Sequence, residues 1–218
     1  MNWVAENLPQ IGALLVAHLA LTIPAILLSI LIAVPIGRVV QASGRGRNAL
    51  LGTTGLLYAI PSLPLLIFIP VLTGLPLRSP ATMIVALTVY GVALLARTAA
   101  DAFASVPTDI TAAATATGHA PRARFIHVEL PLALPVLIAG TRVVAMSTIG
   151  LATIGALIGI PSLGSLFTDG FQRGIPAEVI TGVVVTLALA AAVDGSLWAI
   201  GRFGQPWSAS SKLEGAAA

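Results

Sequence analysis

Long apolar stretches, separated by short polar segments, dominate the pattern of the chain. Five of them are long enough to cross a bilayer, at about residues 11–37, 49–77, 80–96, 130–160 and 179–201. A transmembrane helix rises about 1.5 Å per residue and needs roughly 20 apolar residues. The five stretches contain two charged residues, Arg142 and Asp194. Because the short alternating strands of a membrane barrel are absent, the pattern predicts an all-α membrane protein with five transmembrane helices.

The composition supports this interpretation and excludes several other classes. Hydrophobic residues make up 57% of the 218 residues and charged residues only 9%, whereas a soluble domain carries about 25% charged residues. A net charge of +3 and an aromatic content of 5% provide neither a basic surface nor a stacking platform for nucleic acid. The chain has no cysteine, which excludes disulfides, thiolate metal sites and cysteine nucleophiles.

Basic residues are distributed unevenly between the two sides of the predicted spans. One side carries Arg38, Arg45, Arg47, Arg97, Arg122, Arg124, Arg202 and Lys212. The other side carries only Arg78 and Arg173. Because cytoplasmic loops are enriched in Lys and Arg, this asymmetry predicts an N-terminus outside the cell and a C-terminus in the cytoplasm. It also makes the longest polar segment, residues 97–129, cytoplasmic.

The cytoplasmic segment has the pattern of two short helices. Ser105 is expected to cap the first helix, Pro107 suits its first turn, and Asp109 lies near its positive end. Gly118 is expected to end this helix in the left-handed conformation, and Pro121 to open a second helix leading to the fourth span. Two short helices with an alanine-rich face can press into a groove on another protein.

Proline interrupts the second span at Pro61 and Pro64, with Ser62 between them. Two interpretations remain open: a kink absorbed by neighbouring helices, or a break that exposes backbone groups beside a transport pathway. On the opposite side of the membrane, a short helix is predicted around residues 166–171. Residues 205–218 are polar and low in complexity, and are predicted to be a disordered tail.

The cytoplasmic segment resembles the EAA loop of ABC-importer permeases. The matching positions are Ala112, Ala113, Ala114, Gly118, Val128, Leu130 and Pro131. Further resemblance, to permeases for glycine betaine, choline and carnitine, lies in residues 59–64, 127–142 and 149–159. In one departure, Ala112 stands where the family usually has glutamate, so Asp109 is a candidate to supply part of the missing polar contact.

The resemblance implies a fold, a function and a set of partners. The fold is the five-helix core of type I ABC-importer permeases over residues 1–204, with 97–129 as the loop that couples to the ATPase. The partners are ABC ATPase subunits, a second permease subunit (the same chain or a paralogue) and an extracytoplasmic substrate-binding protein. The implied function is ATP-driven import of quaternary ammonium compatible solutes across the bacterial cytoplasmic membrane. The candidate pathway residues are Pro61, Ser62, Pro64 and Arg142.

No catalytic or cofactor site is predicted in this chain. It lacks a phosphate-binding Gly-x-x-x-x-Gly-Lys-Ser/Thr motif, and its only lysine is Lys212, so ATP and Mg²⁺ are expected to bind to a partner ATPase. The three histidines, His18, His119 and His127, do not have metal-ligand spacing. His18 is expected to be buried in a helix or to face the pathway, and the other two to face solvent or the ATPase.

The main alternative is an ion-coupled secondary transporter. Such a protein needs ionisable groups near the middle of the membrane. Only Arg142 and Asp194 are available, and we expect both to lie near the cytoplasmic ends of their spans, where they could form an ion pair. A membrane-embedded enzyme is a weaker alternative, since no nucleophile–base pair is visible.

Overall fold

The computed structural model describes residues 2–43 and 46–204, and every regular element in this part of the chain is helical. The helices are α1 (Asn2–Glu6), α2 (Leu8–Ser43), α3 (Gly46–Ala59), α4 (Ser62–Thr73), α5 (Pro80–Ala104), α6 (Thr108–Ala116), α7 (Pro121–Arg124), α8 (Leu130–Ala152), α9 (Gly164–Gln172) and α10 (Pro176–Gly204). A π-helical turn, Phe125–Glu129, joins α7 to α8, and a 3₁₀ turn, Thr153–Ile158, follows α8. The predicted tail, residues 205–218, lies outside the described residues.

Four helical segments are long and apolar enough to cross a membrane. They are Leu8–Ala42, Pro80–Ala104, Pro121–Ile158 and Pro176–Phe203. The bent pair of α3 and α4 makes a fifth if its two halves are taken as one span. The all-helical membrane architecture therefore agrees with the sequence, and the difference between four spans and five depends on this pair.

The second predicted span is broken rather than kinked. Helices α3 and α4 meet at an angle of 105°, and Pro61 between them has an extended backbone with φ −60° and ψ 140°. Proline at this position cannot donate a backbone hydrogen bond and disfavours helix in the residue before it, Ile60. Helix α4 ends at Gly74, whose φ of +73° favours glycine.

Helix α5 lies at the centre of the fold, packed against α2 and α8. Small residues allow a close approach: a Cβ atom built on Gly37 of α2 would lie 2.5 Å from the Cβ of Ala99. The predicted third span, 80–96, was too short. The helix continues to Ala104, so Arg97 lies on its last turns rather than in a loop.

Other predicted boundaries need smaller corrections. Helix α2 has 36 residues and contains Pro24 and Pro35, so it extends beyond the predicted 11–37 at both ends. The fourth span is continuous with α7 through the π-helical turn. The short outer helix is confirmed as α9, and the last span is longer at both ends than the predicted 179–201.

Candidate functional site

The residues of the EAA-like motif lie on and around α6. Asp109 is in the first turn of α6, where its negative charge complements the helix dipole. Ala112 and Ala113 are exposed, whereas Ala114 is buried at 8% exposure. The surface that α6 offers to another protein therefore includes Ala112 and Ala113, while Ala114 packs inward.

Gly118 ends α6 as the sequence predicted. Its φ is +86°, and the N–H groups of Gly118 and His119 donate to the carbonyls of Thr115 and Ala114 at 3.0 and 3.1 Å. These two bonds form a Schellman motif, which satisfies carbonyls that the helix end leaves free. No atom lies within 4 Å of a Cβ built on Gly118, so the need for glycine there is conformational rather than steric.

The predicted start of α6 was wrong. Ser105 is the C-cap residue of α5, and its hydroxyl donates to the carbonyl of Ala102 at 2.8 Å. Helix α6 begins at Thr108, and Pro107 is its N-cap residue rather than part of the first turn. The error follows from the length of α5, because its last turn places Ser105 at the end of one helix instead of the start of the next.

Glu129, which the sequence analysis did not single out, is the centre of a charged network. Its side chain is 7% exposed and forms ion pairs with Arg38 of α2, Nε to Oε2 at 2.5 Å, and Arg124 of α7, Nε to Oε1 at 2.9 Å. Arg124 also donates from Nη1 to the hydroxyl of Thr115 in α6 at 3.0 Å. We call Glu129, Arg38, Arg124 and Thr115 the hub, because they connect α2, α6, α7 and the start of α8.

The remaining motif residues anchor the second half of the segment. Leu130 is partly buried and packs against the cluster that contains Ala99, Phe103 and Val106. Pro131 lies directly after the π-helical turn, in the first turn of α8, and Val128 is half-buried. The Leu-Pro motif therefore fixes the entry of the chain into α8, next to the hub.

A second candidate region is the cavity beside the break between α3 and α4, which we call the helix-break cavity. It has a volume of about 460 Å³. Its lining residues are Tyr58, Ala59, Ile60, Pro61, Ser62, Tyr90, Ser147, Gly150 and Leu151. The carbonyl of Ile60, freed by the break, accepts a hydrogen bond from the hydroxyl of Tyr90. Pro61 and Ser62 thus line a cavity, as expected for residues beside a pathway.

Two other candidate pathway residues lie elsewhere. Pro64 is exposed on α4 and does not line the helix-break cavity. Arg142 pairs with Asp194 of α10 through two bonds of 2.7 Å, Nε to Oδ1 and Nη2 to Oδ2, and lines a different cavity. The expected ion pair is confirmed, and the structure does not bring Arg142 together with Pro61 and Ser62.

The histidines behave as structural or surface residues. His18 is fully buried in α2, and its Nδ1 accepts a hydrogen bond from the backbone N–H of Leu163 at 3.4 Å. It therefore joins α2 to the start of α9. His119 and His127 are exposed, after α6 and in the π-helical turn.

Comparison with known proteins decides between an importer permease and an ion-coupled secondary transporter. Residues 25–200 match the family described as "Binding-protein-dependent transport system inner membrane component". The chain belongs to this family. It is therefore a membrane-spanning permease subunit of a bacterial importer, located in the inner membrane, and the ion-coupled secondary transporter is not favoured.

Individual relatives agree with the family assignment. The choline transport system permease protein OpuBB of Bacillus subtilis is 32% identical over 177 residues, which cover 81% of this chain and 80% of that protein. The glycine betaine/carnitine/choline permease OpuCB of the same organism is 31% identical with the same coverage. The osmoprotectant import permease OsmW of Salmonella typhimurium is 29% identical, covering 89% of this chain and 91% of that protein.

Solved structures support the fold. An inward-facing structure of the MetNI methionine ABC transporter matches with a TM-score of 0.75 and 23% identity, covering 88% of this permease and 96% of that chain. An amino acid ABC transporter solved with histidines matches with a TM-score of 0.68 and 15% identity. The permease therefore has the fold of this class of importer subunit. Hydrolysis of ATP in this family belongs to a partner subunit.

Proposed function

We propose that this permease is the translocation subunit of an ATP-driven importer of compatible solutes that carry a quaternary ammonium group. The names of its relatives support this substrate class, since they specify choline, glycine betaine, carnitine or osmoprotectants. The proposal includes a separate ATPase that binds ATP and Mg²⁺, a substrate-binding protein outside the membrane, and a second permease subunit.

The observation that carries the coupling mechanism is the hub. The exposed face of α6 with Ala113 is connected to the transmembrane helices through Thr115, Arg124 and Glu129. Glu129 is bonded in turn to Arg38 of α2, and it lies within the continuous helical segment Pro121–Ile158. A force applied to α6 by an ATPase would therefore act on α2 and α8 together.

Coupling requires the ATPase to make different contacts with two conformations of the permease. In our proposal the ATPase receives α6 in a groove, and closure of the ATP-bound dimer shifts α6 together with the hub. Because α8 also contributes Ser147, Gly150 and Leu151 to the helix-break cavity, a shift of α8 would change the shape of that cavity. The cavity would then open to alternate sides of the membrane.

Asp109 compensates for the departure at Ala112 in this proposal. The two residues are three positions apart in α6 and therefore share one face of the helix. Asp109 and Ala112 are both exposed. A carboxylate is thus available on the same face that carries the glutamate of other family members.

The proposed membrane arrangement counts α3 and α4 as one broken span, which gives five spans with the N-terminus outside. The exposed apolar residues of α10, including Ile180, Val184 and Leu187, would face lipid or the second permease subunit. Because the chain has no cysteine, Ala120→Cys and Gln172→Cys provide single labelling sites on the two proposed sides. On intact cells, an impermeant maleimide should label position 172 and leave position 120 unlabelled.

The function is tested by uptake of labelled choline and glycine betaine into vesicles that contain the purified complex with its ATPase and binding protein. We expect uptake to require ATP and to persist when ionophores remove the proton and sodium gradients. Uptake that collapses with the ionophores, or that proceeds without ATP, would contradict the proposal.

A further inference from the structure

The two tyrosines of this chain, Tyr58 of α3 and Tyr90 of α5, both line the helix-break cavity. Their ring centroids are 6.1 Å apart and their planes meet at 88°. Tyr90 is 5% exposed and Tyr58 is 49% exposed. One ring is therefore fixed in the core while the other is accessible, and both contribute to the wall of the cavity.

The position of the Tyr90 ring is fixed by a hydrogen bond as well as by packing. Its hydroxyl donates to the carbonyl of Ile60, the residue at the break between α3 and α4. Tyr90 also packs in the cluster that contains Leu66, Met83 and Leu87. The ring of Tyr90 is thus held directly beside the break between α3 and α4.

The chemistry of the cavity suits one class of solute. No residue in its lining is charged, and its other side-chain polar groups are the hydroxyls of Ser62 and Ser147. A quaternary ammonium group has no N–H to donate, so it is recognised by the electron-rich faces of aromatic rings within about 6 Å. A volume of about 460 Å³ falls within the range of roughly 300–1,000 Å³ for small-molecule sites.

We propose that Tyr58 and Tyr90 form a quaternary ammonium subsite on the translocation pathway. The hydroxyls of Ser62 and Ser147 face the polar end of the solute, a carboxylate or a hydroxyl group. The absence of an acidic residue in the lining keeps binding weak enough for release, as transport requires. This inference rests on the proposed function and adds a binding site in the permease itself.

The test is equilibrium binding of radiolabelled choline to the permease–ATPase complex, purified without the binding protein. Tyr58→Leu should weaken choline binding about tenfold, while Tyr58→Phe should stay within about twofold, because the ring face and not the hydroxyl attracts the cation. Phe68→Leu is the matched control: Phe68 is 59% exposed on α4, lies outside the cavity, and should leave binding unchanged.

The uncharged isostere of choline, 3,3-dimethyl-1-butanol, tests the same point on the unaltered protein. It should compete with choline only weakly. Equal competition by the isostere, or an equal loss of binding in Tyr58→Phe and Tyr58→Leu, would overturn the subsite. The isostere experiment decides the question even if Tyr58→Leu fails to assemble with its ATPase.

Uptake with the binding protein present separates this proposal from the proposed function. If the wild-type complex transports choline and the Tyr58→Leu variant binds and transports it equally well, the subsite is wrong and the function stands. If the wild-type complex neither binds nor transports choline or glycine betaine, the substrate class and the subsite are both wrong.

Discussion

Helices are interrupted both at the end of α6 and at the helix-break cavity, but the freed backbone groups are satisfied in different ways. At Gly118 the chain closes on itself, and its N–H groups donate back into α6. At Ile60 the freed carbonyl accepts a hydrogen bond from the hydroxyl of Tyr90, which lies in α5. At the end of α6 the chain supplies its own hydrogen-bond donors, whereas at the break between α3 and α4 the donor comes from a helix elsewhere in the fold.

The two regions also differ in charge. The region of α6 and α7 buries Glu129 between Arg38 and Arg124, and the helix-break cavity has no charged residue in its lining. Charge therefore connects helices in the first region, while the lining of the cavity consists of hydroxyls, aromatic rings, apolar side chains and backbone. In the proposed function, coupling belongs to the first region and passage of solute to the second.

Filling the cavity should have the largest effect on transport. Ser62→Trp places an indole in a half-buried position of the lining, and we expect it to abolish uptake while the complex still assembles. Uptake by vesicles and retention of the ATPase subunits are the measurements. Leu63→Trp is the control, since Leu63 is 41% exposed and lies outside the lining. Normal uptake by Ser62→Trp would mean that the break between α3 and α4 only packs against neighbouring helices and does not line the pathway.

Removing both arginines of the hub should have the next largest effect. Arg38→Ala combined with Arg124→Ala leaves the buried Glu129 carboxylate unpaired, which should destabilise the protein by about 3 kcal/mol and uncouple ATP hydrolysis from uptake. Thermal unfolding in detergent and hydrolysis per transported solute report the two effects.

A further substitution tests whether the unpaired Glu129 carboxylate causes the loss of stability in the double variant. Adding Glu129→Leu to the double variant should restore stability without restoring coupling, because the buried charge is then gone. Arg122→Ala, at an exposed position of α7, is the control and should behave like the wild type. A double variant with normal stability and coupling would contradict the role of the hub.

Gly118→Val should have an intermediate effect. A side chain in the left-handed conformation costs on the order of 1–2 kcal/mol, which should loosen the end of α6. Substrate-stimulated ATP hydrolysis should fall, while expression of the permease stays normal. Gly118→Asn should be milder because asparagine tolerates this conformation. Equal behaviour of both variants and the wild type would show that the turn does not support coupling.

Tyr90→Phe should have the smallest effect. It removes the hydroxyl that satisfies the Ile60 carbonyl and keeps the ring, so we expect a loss of about 1 kcal/mol in stability. The midpoint of thermal unfolding in detergent measures this change. Tyr58→Phe, on the more exposed ring of the pair, should leave the midpoint unchanged. An unchanged midpoint in Tyr90→Phe would mean that water replaces the hydroxyl.

Local features of the fold could be predicted from the sequence. An interruption at Pro61 follows from the backbone restrictions of proline, although the sequence left a kink and a break both open, and the left-handed conformation of Gly118 follows from the absence of a side chain. The end of α5 could not be predicted in the same way. Arg97 is polar and exposed, so it resembles the start of a loop, although the helix continues to Ala104.

Contacts between distant positions could not be predicted from one sequence. Arg38 and Glu129 are far apart in the chain, and Arg38 does not stand out locally, because arginines beside membrane spans are common. The same holds for Tyr58 and Tyr90, which meet only because α3 folds back along α5. For the ion pairs of Glu129, the available signal in the sequence was this single acidic residue among the basic residues at the start of the fourth span.

Cross-linking from α6 tests the central claim, that the exposed face of α6 receives the movement of the ATPase. Ala113→Cys would carry a photoactivatable benzophenone maleimide in the assembled complex, with Gln172→Cys as the control on the opposite side. The chain has no other cysteine, so a permease that is labelled before assembly carries the benzophenone at one defined position. We predict adducts between position 113 and the ATPase subunit, and none from position 172. Adducts to the ATPase from position 172, with none from position 113, would contradict the account.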